Sequence, residues 1–312
     1  MKVYNISDIL LLCDKVTSVV NMRSQDFILQ NSRYIDAALQ LFSDEESRYN
    51  YVREIAYFIL SACIPPNVLA PLCGVVTVEE YENCARVIQQ HGISKLFESS
   101  NKGNSENYKA MDLAGTFLME QYRYNDLVGV EKGDICFDGG AYIGDTAVYF
   151  MKNGAKGVYA FECYEENLQY LKKNIIKLGY KDNIHICEKA LSDKTGEITF
   201  SEMESNITGG SIAIDRGGPE RKVQAITIDD FCEKEGVYPN FIKMDIEGAE
   251  VKALNGAKKT IQQHRPKLAI SIYHTIDDRW KIPLLIYSFV PDYKFYVKRA
   301  SPYGETILFA VP

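Results

Sequence analysis

Asp138 and Asp145 bracket a glycine turn. The stretch Asp138-Gly139-Gly140-Ala141-Tyr142-Ile143-Gly144-Asp145 follows the short apolar run Ile135 to Phe137 and precedes a helical pattern from Ala147 to Lys152. A strand feeding a glycine turn and then a helix seats a nucleotide-like ligand at the carboxyl edge of a parallel sheet. Further on, Asp245, Glu247 and Glu250 follow the apolar run Phe241 to Ile246, and His274 closes the run Leu268 to Tyr273. Carboxylates and an imidazole at strand ends are groups that can take a proton from a substrate.

Two frames fit the glycines. The dinucleotide frame Gly-x-Gly-x-x-Gly falls on Gly139, Ala141 and Gly144, with alanine at its second glycine. In that frame Asp138 and Asp145 face a pyrophosphate, and each like-charge pair a few ångströms apart costs roughly 1–4 kcal/mol at a high effective dielectric. The frame Asp138-x-Gly140-x-x-x-Gly144 suits S-adenosylmethionine, whose sulfonium and ammonium both carboxylates attract. Glu162, 24 residues beyond Asp138 at the end of the run Val158 to Phe161, is placed to accept ribose hydroxyls. The methyl donor is therefore preferred to an NAD-type cofactor.

Asp245 and His274 are expected to form a proton-accepting pair, with Glu247 beside them. Glu247 and Glu250 also suit the positive end of the following helix, an interaction worth about 0.3–1 kcal/mol each. Lys243 shares a strand face with Asp245 and is expected to neutralise it. A divalent metal held by Asp245, Glu247 and His274 is the weaker alternative and is not predicted.

The elements that must position these groups change character along the chain. Residues 1–104 read as a helical domain of unassigned role, with apolar periodicities at Ile9, Leu12, Val16 and Val19, at Ile35, Leu39 and Phe42, at Val52, Ile55 and Ile59, and a helix from Val78 to Gln90 stopped by Gly92. This domain is a candidate homodimer surface. The polar stretch 98–107 marks the boundary, and 105–312 alternates helix and strand: a helix from Met111 to Tyr124, strands at Ile184 to Cys187, Gly196 to Phe200 and Val223 to Ile226, and a helix from about Ala249 to Gln263. Lys294–Lys298 and Thr306–Val311 are too close in sequence for a crossover and must pair antiparallel. The expected fold is a Rossmann-like α/β sheet, mostly parallel, with an antiparallel C-terminal edge strand.

Composition narrows the class. Over 312 residues, 46% apolar and 25% charged content is that of a globular protein, and a net charge of −7 argues against nucleic acid as a partner. Eight cysteines without a Cys-x-x-Cys pair fit a reduced, cytoplasmic protein. The charge-free stretch Ile55 to Val78 contains Pro65, Pro66, Pro71 and Gly74, so a buried helix followed by a packed turn is expected rather than a transmembrane segment. No signal-peptide pattern is present at the N-terminus.

Four blocks together resemble the FkbM family of S-adenosylmethionine-dependent methyltransferases: Asp138 to Thr146, Phe161-Glu162, Ala190-Leu191-Ser192-Asp193 with Gly196, and Ile242 to Glu250 with Leu254 and Gly256-Ala257. Ile272-Tyr273-His274 and Ile282-Pro283 fit as well. The resemblance covers about Tyr108 to Pro312. It implies a Rossmann-like methyltransferase fold and methyl transfer, usually to oxygen, on small-molecule or glycan acceptors such as sugars and polyketides. Carried over by position, the cofactor residues are Asp138, Gly140, Tyr142, Gly144, Asp145 and Glu162, with Ala190 and Leu191 at the adenine. Gln121 and Tyr122 are expected near the methionine end, and the loop 205–211 near the acceptor. Cys163, where many members have proline, Ile143 and Lys298-Arg299 depart from the pattern.

Overall fold

A computed structural model describes residues 26, 28–61, 64–73, 76–99, 106–203, 210–215 and 217–312. The expected helix through Ile9 to Val19 and most of the stretches 98–107 and 205–211 lie outside these residues. Before the first strand come α1 (Ser32–Leu41), α2 (Glu45–Ser61), α3 (Pro66–Cys73), α4 (Val78–Gln90) and α5 (Glu106–Phe117). The order then runs β1 (Ile135–Gly139), α6 (Asp145–Lys152), β2 (Gly157–Phe161), α7 (Glu165–Lys177), β3 (Ile184–Cys187), β4 (Ala190–Leu191), β5 (Gly196–Met203), β6 (Gly210–Ser211), β7 (Gly217–Ile226) and α8 (Ile228–Glu235). It ends with β8 (Phe241–Met244), α9 (Glu250–Asn255), α10 (Lys258–His264), β9 (Lys267–Ser271), α11 (Asp278–Phe289), β10 (Lys294–Arg299) and β11 (Thr306–Val311).

Seven strands form one sheet in the order β10-β11-β9-β8-β1-β2-β3. β11 pairs antiparallel with both β9 and β10, while the strands from β9 to β3 pair parallel. The antiparallel strand thus lies one place inside the edge. β4 to β7 form a separate small sheet around the β5–β7 hairpin. The strand order reverses at β1, whose neighbours are β2 and β8, which opens a crevice beyond their carboxyl ends.

Strand alternation buries both faces. Phe137, Ile242, Leu268, Ile270 and Leu308 point into a core shared with α1, α2, α8 and α9 to α11. Cys136, Phe241, Ala269, Ile307 and Phe309 point to the other side, under α4 to α7. The helices before β1 therefore take part in both layers.

Several elements differ from the sequence reading. The turn expected after α2 is the short helix α3, with Pro66 at its first position, where no backbone N–H is needed. α5 stops at Phe117, and Glu120 turns left-handed at φ 47, so Gln121 and Tyr122 lie on a turn rather than a helix. The helix expected from Ala249 breaks into α9 and α10 at Gly256, where a Cβ would stand 2.1 Å from the Ser192 carbonyl oxygen. α11 was not anticipated. Its polar Asp278 and Arg279 are buried beside apolar residues, which erases the amphipathic pattern, and Pro283 lies inside it. Among the described residues no helix is long and apolar enough to cross a membrane.

A buried charge cluster ties the N-terminal layer to the sheet. Glu54 of α2, 0% exposed, accepts hydrogen bonds from Arg279 Nε (2.9 Å) and Nη2 (2.6 Å) on α11. Arg299, at the end of β10, donates to its other oxygen. Removing one member leaves buried charge unpaired. Glu54→Ala is expected to lower unfolding free energy by about 3–5 kcal/mol in urea titration; a loss below about 1 kcal/mol would assign the cluster the weight of a surface pair.

Candidate active site

The turn after β1 is built by close approach of backbone to backbone. Gly140 has φ 75, and a Cβ there would lie 2.0 Å from the Asp245 carbonyl oxygen. The Gly140 and Ala141 amides both donate to the Phe161 carbonyl, at 2.9 and 3.1 Å, which ties the turn to the end of β2. Lys243, 2% exposed, lies directly across from Asp138 in the β1–β8 register. Its Nζ is 2.9 Å from Asp138 Oδ1 and donates to the carbonyls of Gly139 (3.0 Å) and Gly140 (2.7 Å). Burial works to lower the Lys243 pKa, but the carboxylates of Asp138, Asp245 and Asp145 outweigh it and keep the amine protonated. The partner expected for Lys243 was Asp245; its nearest carboxylate is Asp138, and its hydrogen bonds hold the turn.

A cavity of about 440 Å³ opens beyond the turn. Gly140, Tyr142, Asp145, Glu162, Ala190, Leu191, Asp245 and Glu247 line it, as do Gln121 and Tyr122. Asp138, Gly144 and His274 are not in its lining. Asp138 sits beneath, paired with Lys243. Gly144, at φ 90, brings α6 against α7, since a Cβ would lie 2.7 Å from Leu171 Cδ1. Asp145 Oδ2 accepts from Thr116 Oγ1 at 2.7 Å, and burial raises its pKa against that bond. Burial likewise raises Glu162, whose oxygens accept the amides of Tyr142, Cys163 and Tyr164.

Sequence reasoning missed part of the lining. Tyr81 of α4, Tyr108 and Asp112 of α5, and Glu305 from the β10–β11 turn also face the cavity. In sequence Tyr81 reads as the apolar stripe of an amphipathic helix and Asp112 as a solvated face. The one available signal was Gly115-Thr116: a Cβ at Gly115 would lie 2.9 Å from both Gln121 Oε1 and Tyr81 Oη, marking a close approach. Desolvation by the cavity walls, then the charges of Glu305, Asp145 and Asp245, push Asp112 well above the usual carboxylate range.

At the end of β8 the expected acid and imidazole meet. Asp245 accepts from Tyr122 Oη at 2.9 Å on one oxygen and from Tyr273 Oη at 3.0 Å on the other. His274, with a side chain 4% exposed, lies behind it, its Nε2 3.3 Å from Asp245 Oδ1 and 3.8 Å from Glu247 Oε2. On the opposite side, His274 Nδ1 is 3.1 Å from Oε1 of the buried Glu250. Burial would lower the His274 pKa, yet Glu250, then Asp245 and Glu247, raise it to about 9. Burial alone would raise Asp245; the charges of His274 and Lys243 and the two tyrosine bonds hold it below its ordinary value.

Asp245, Glu250 and His274 form a group whose ligand atoms lie within 4.8 Å of one another, the one such group among the described residues. Asp245 and Glu250 face different ring nitrogens, so an ion on one nitrogen would leave the carboxylate at the other behind. The arrangement suits an imidazolium between two carboxylates better than a chelated metal.

A model for the methyltransferase FkbM domain matches residues 138–297. The chain is similar in structure to the methyltransferase FkbM from Methylobacillus flagellatus KT, at 21% identity and a TM-score of 0.62, over 91% of this chain and 60% of that one. It thus spans about 60% of that protein's length. A precorrin-6y C5,15-methyltransferase from Geobacter metallireducens GS-15 aligns over 70% of this chain and 94% of its own, at 10% identity and a TM-score of 0.42. No curated protein matches the sequence.

Two outcomes follow from this geometry. Gly140→Ala meets both a left-handed backbone and the Asp245 carbonyl, whereas Gly179→Ala, at φ 82 with nothing within 4 Å, meets only the first. In urea titration Gly179→Ala is expected to lose about 1–2 kcal/mol and Gly140→Ala distinctly more; equal losses would contradict the close approach. For His274, a folded pKa near 9 against 6.5 makes its contribution full below about pH 6.5 and lost as pH rises through 9. The stability gap between the protein and His274→Gln should therefore narrow over that window, and a constant gap would count against a charged imidazole.

Proposed function

The chain belongs to the FkbM methyltransferase family, and we propose that it moves the methyl group of S-adenosylmethionine to a hydroxyl oxygen of a sugar, glycan or secondary metabolite. The observation that carries the donor assignment is the charge of the cavity. Lys243 is committed to Asp138 and the turn carbonyls, and six carboxyl groups, Asp112, Asp145, Glu162, Asp245, Glu247 and Glu305, line the space against one further lysine, Lys189. Such a wall attracts a sulfonium and an ammonium and repels a pyrophosphate. Bound there, S-adenosylmethionine would supply an electrophilic methyl group on sulfur. Gly140 and Tyr142 would form the floor of its site, with Ala190 and Leu191 as the apolar surface for adenine.

For the acceptor, the residue best placed to take the hydroxyl proton is Asp245. It lines the cavity, Tyr122 and Tyr273 donate hydrogen bonds to its two oxygens, and His274 Nε2 lies 3.3 Å from one of them. His274 stands outside the lining and carries a proton of its own at neutral pH, so its part is to aim Asp245 and offset its charge. Glu250 fixes the far side of the ring, and Glu247 is a second carboxylate within reach of the same space. Such a base typically contributes about 10²–10⁴-fold to rate, with positioning supplying much of the rest. We read the protein as cytoplasmic; the free Cys84, Cys136, Cys163, Cys187 and Cys232 support a reducing compartment.

The test separates binding from chemistry. Asp245→Asn should retain affinity for S-adenosylhomocysteine close to wild type while turnover on a panel of hydroxyl acceptors falls about 10²–10⁴-fold. Unchanged turnover would remove Asp245 from the reaction. Tight binding without turnover by the wild-type protein across a broad panel would point to a non-catalytic nucleoside-binding member of the fold.

A further inference from the structure

A second cavity, of about 360 Å³, adjoins the acidic one and differs from it in charge. Lys194, Lys222 and Lys252 line it against two carboxylates, Asp193 and Glu197. Two of the lysine heads are placed at its wall by the atoms they bond. Lys222 Nζ donates at 3.0 Å to Oγ1 of Thr199, its partner across the β5–β7 register, and Lys252 Nζ donates to the Ile212 carbonyl at 3.3 Å. Thr199 and Ile212 themselves line the cavity. An ammonium carries three donors, so one neutral acceptor leaves the others for a ligand. Among the described residues none of the three lysines takes part in an ion pair.

Ile212 lines both cavities and is the wall they share. That wall is fastened beside the carboxylates at the end of β8. Ser211 Oγ donates to the Glu247 carbonyl at 2.7 Å and accepts the amides of Ala213 and Ile214, both at 3.0 Å. Gly248 comes up against the same segment, since a Cβ there would lie 2.4 Å from Ile214 Cδ1. A molecule with its hydroxyl at Asp245 that extends past Ile212 therefore meets the lysines.

We propose that this second cavity is an oxyanion subsite that seats a phosphate or sulfate group borne by the methyl acceptor. The carboxyl-lined cavity repels such a group, and the lysines hold it on the far side of Ile212. The reacting hydroxyl can then enter while the anion stays outside. Lys222 and Lys252 become residues that select charged acceptors over neutral ones. This inference rests on the hydroxyl acceptor proposed above.

The experiment is calorimetric titration of the protein loaded with S-adenosylhomocysteine. The probes are sugar phosphates and sugar sulfates, each beside its neutral parent sugar, and inorganic phosphate. At least one charged sugar should bind about tenfold tighter than its parent, and more tightly than inorganic phosphate. Lys222→Gln and Lys252→Gln should each cut that preference about threefold to tenfold, Lys252→Arg should keep it, and added salt should shrink it. Affinity for S-adenosylhomocysteine should stay at the wild-type value in every variant, because both lysines lie outside the acidic cavity. No charged sugar preferred to its parent, or a preference untouched by both glutamine variants, overturns the proposal. Inorganic phosphate bound as tightly as the sugar phosphates would make the ligand a free anion and overturn the acceptor role. Failure to bind S-adenosylhomocysteine is seen before any sugar is added and counts against the donor assignment alone; the same titrations of the unloaded protein then decide the subsite.

Discussion

The buried ion pair between Lys243 and Asp138 is the constraint around which the site is arranged. Both side chains sit in the middle of the sheet, across from one another on β1 and β8, with almost no exposure. Burying two charges is expensive unless geometry and extra hydrogen bonds offset the desolvation. Here the offset comes from the Gly139 and Gly140 carbonyls, which Lys243 can reach only because the turn folds over it. The same tightness excludes any side chain at Gly140 and delivers Asp245 two residues beyond Lys243. It also engages the lysine, whose amine contacts Asp138 and the turn carbonyls rather than the acids beyond them.

A second buried charge cluster, Glu54 with Arg279 and Arg299, performs a related task at the other end of the sheet. It joins a helix from the N-terminal layer to α11 and β10, and the turn that follows β10 brings Glu305 to the cavity. From the opposite layer, α4 and α5 contribute Tyr81, Tyr108 and Asp112 to the same wall. The N-terminal helices, which offered no chemistry as sequence, thereby become walls of the candidate site.

What could be read from the sequence followed from local rules. Gly140 and Gly144 betray the turn because their positive φ values admit few other residues, and α4 is bounded by a capping box of Thr77 and Glu80 that leaves its own signature. Asp245 and His274 were legible as strand ends. The position of Glu250 against the far side of His274 was not, because it depends on how α9 leaves β8. Lys243 does help offset Asp245, but its closer partner Asp138 was not legible, because alternation along one strand says nothing about the strand beside it. α11 escaped because Arg279 is buried in the Glu54 cluster, a contact more than 200 residues away in sequence, and Asp278 is buried while accepting the Thr275 amide.

The central claim is that an acidic cavity at the end of β1 binds a cationic nucleoside and refuses a pyrophosphate one. Calorimetric titration of the wild-type protein with S-adenosylmethionine and with NAD tests it most directly. The account predicts saturable binding of S-adenosylmethionine and none of NAD. Binding of NAD alone would contradict it.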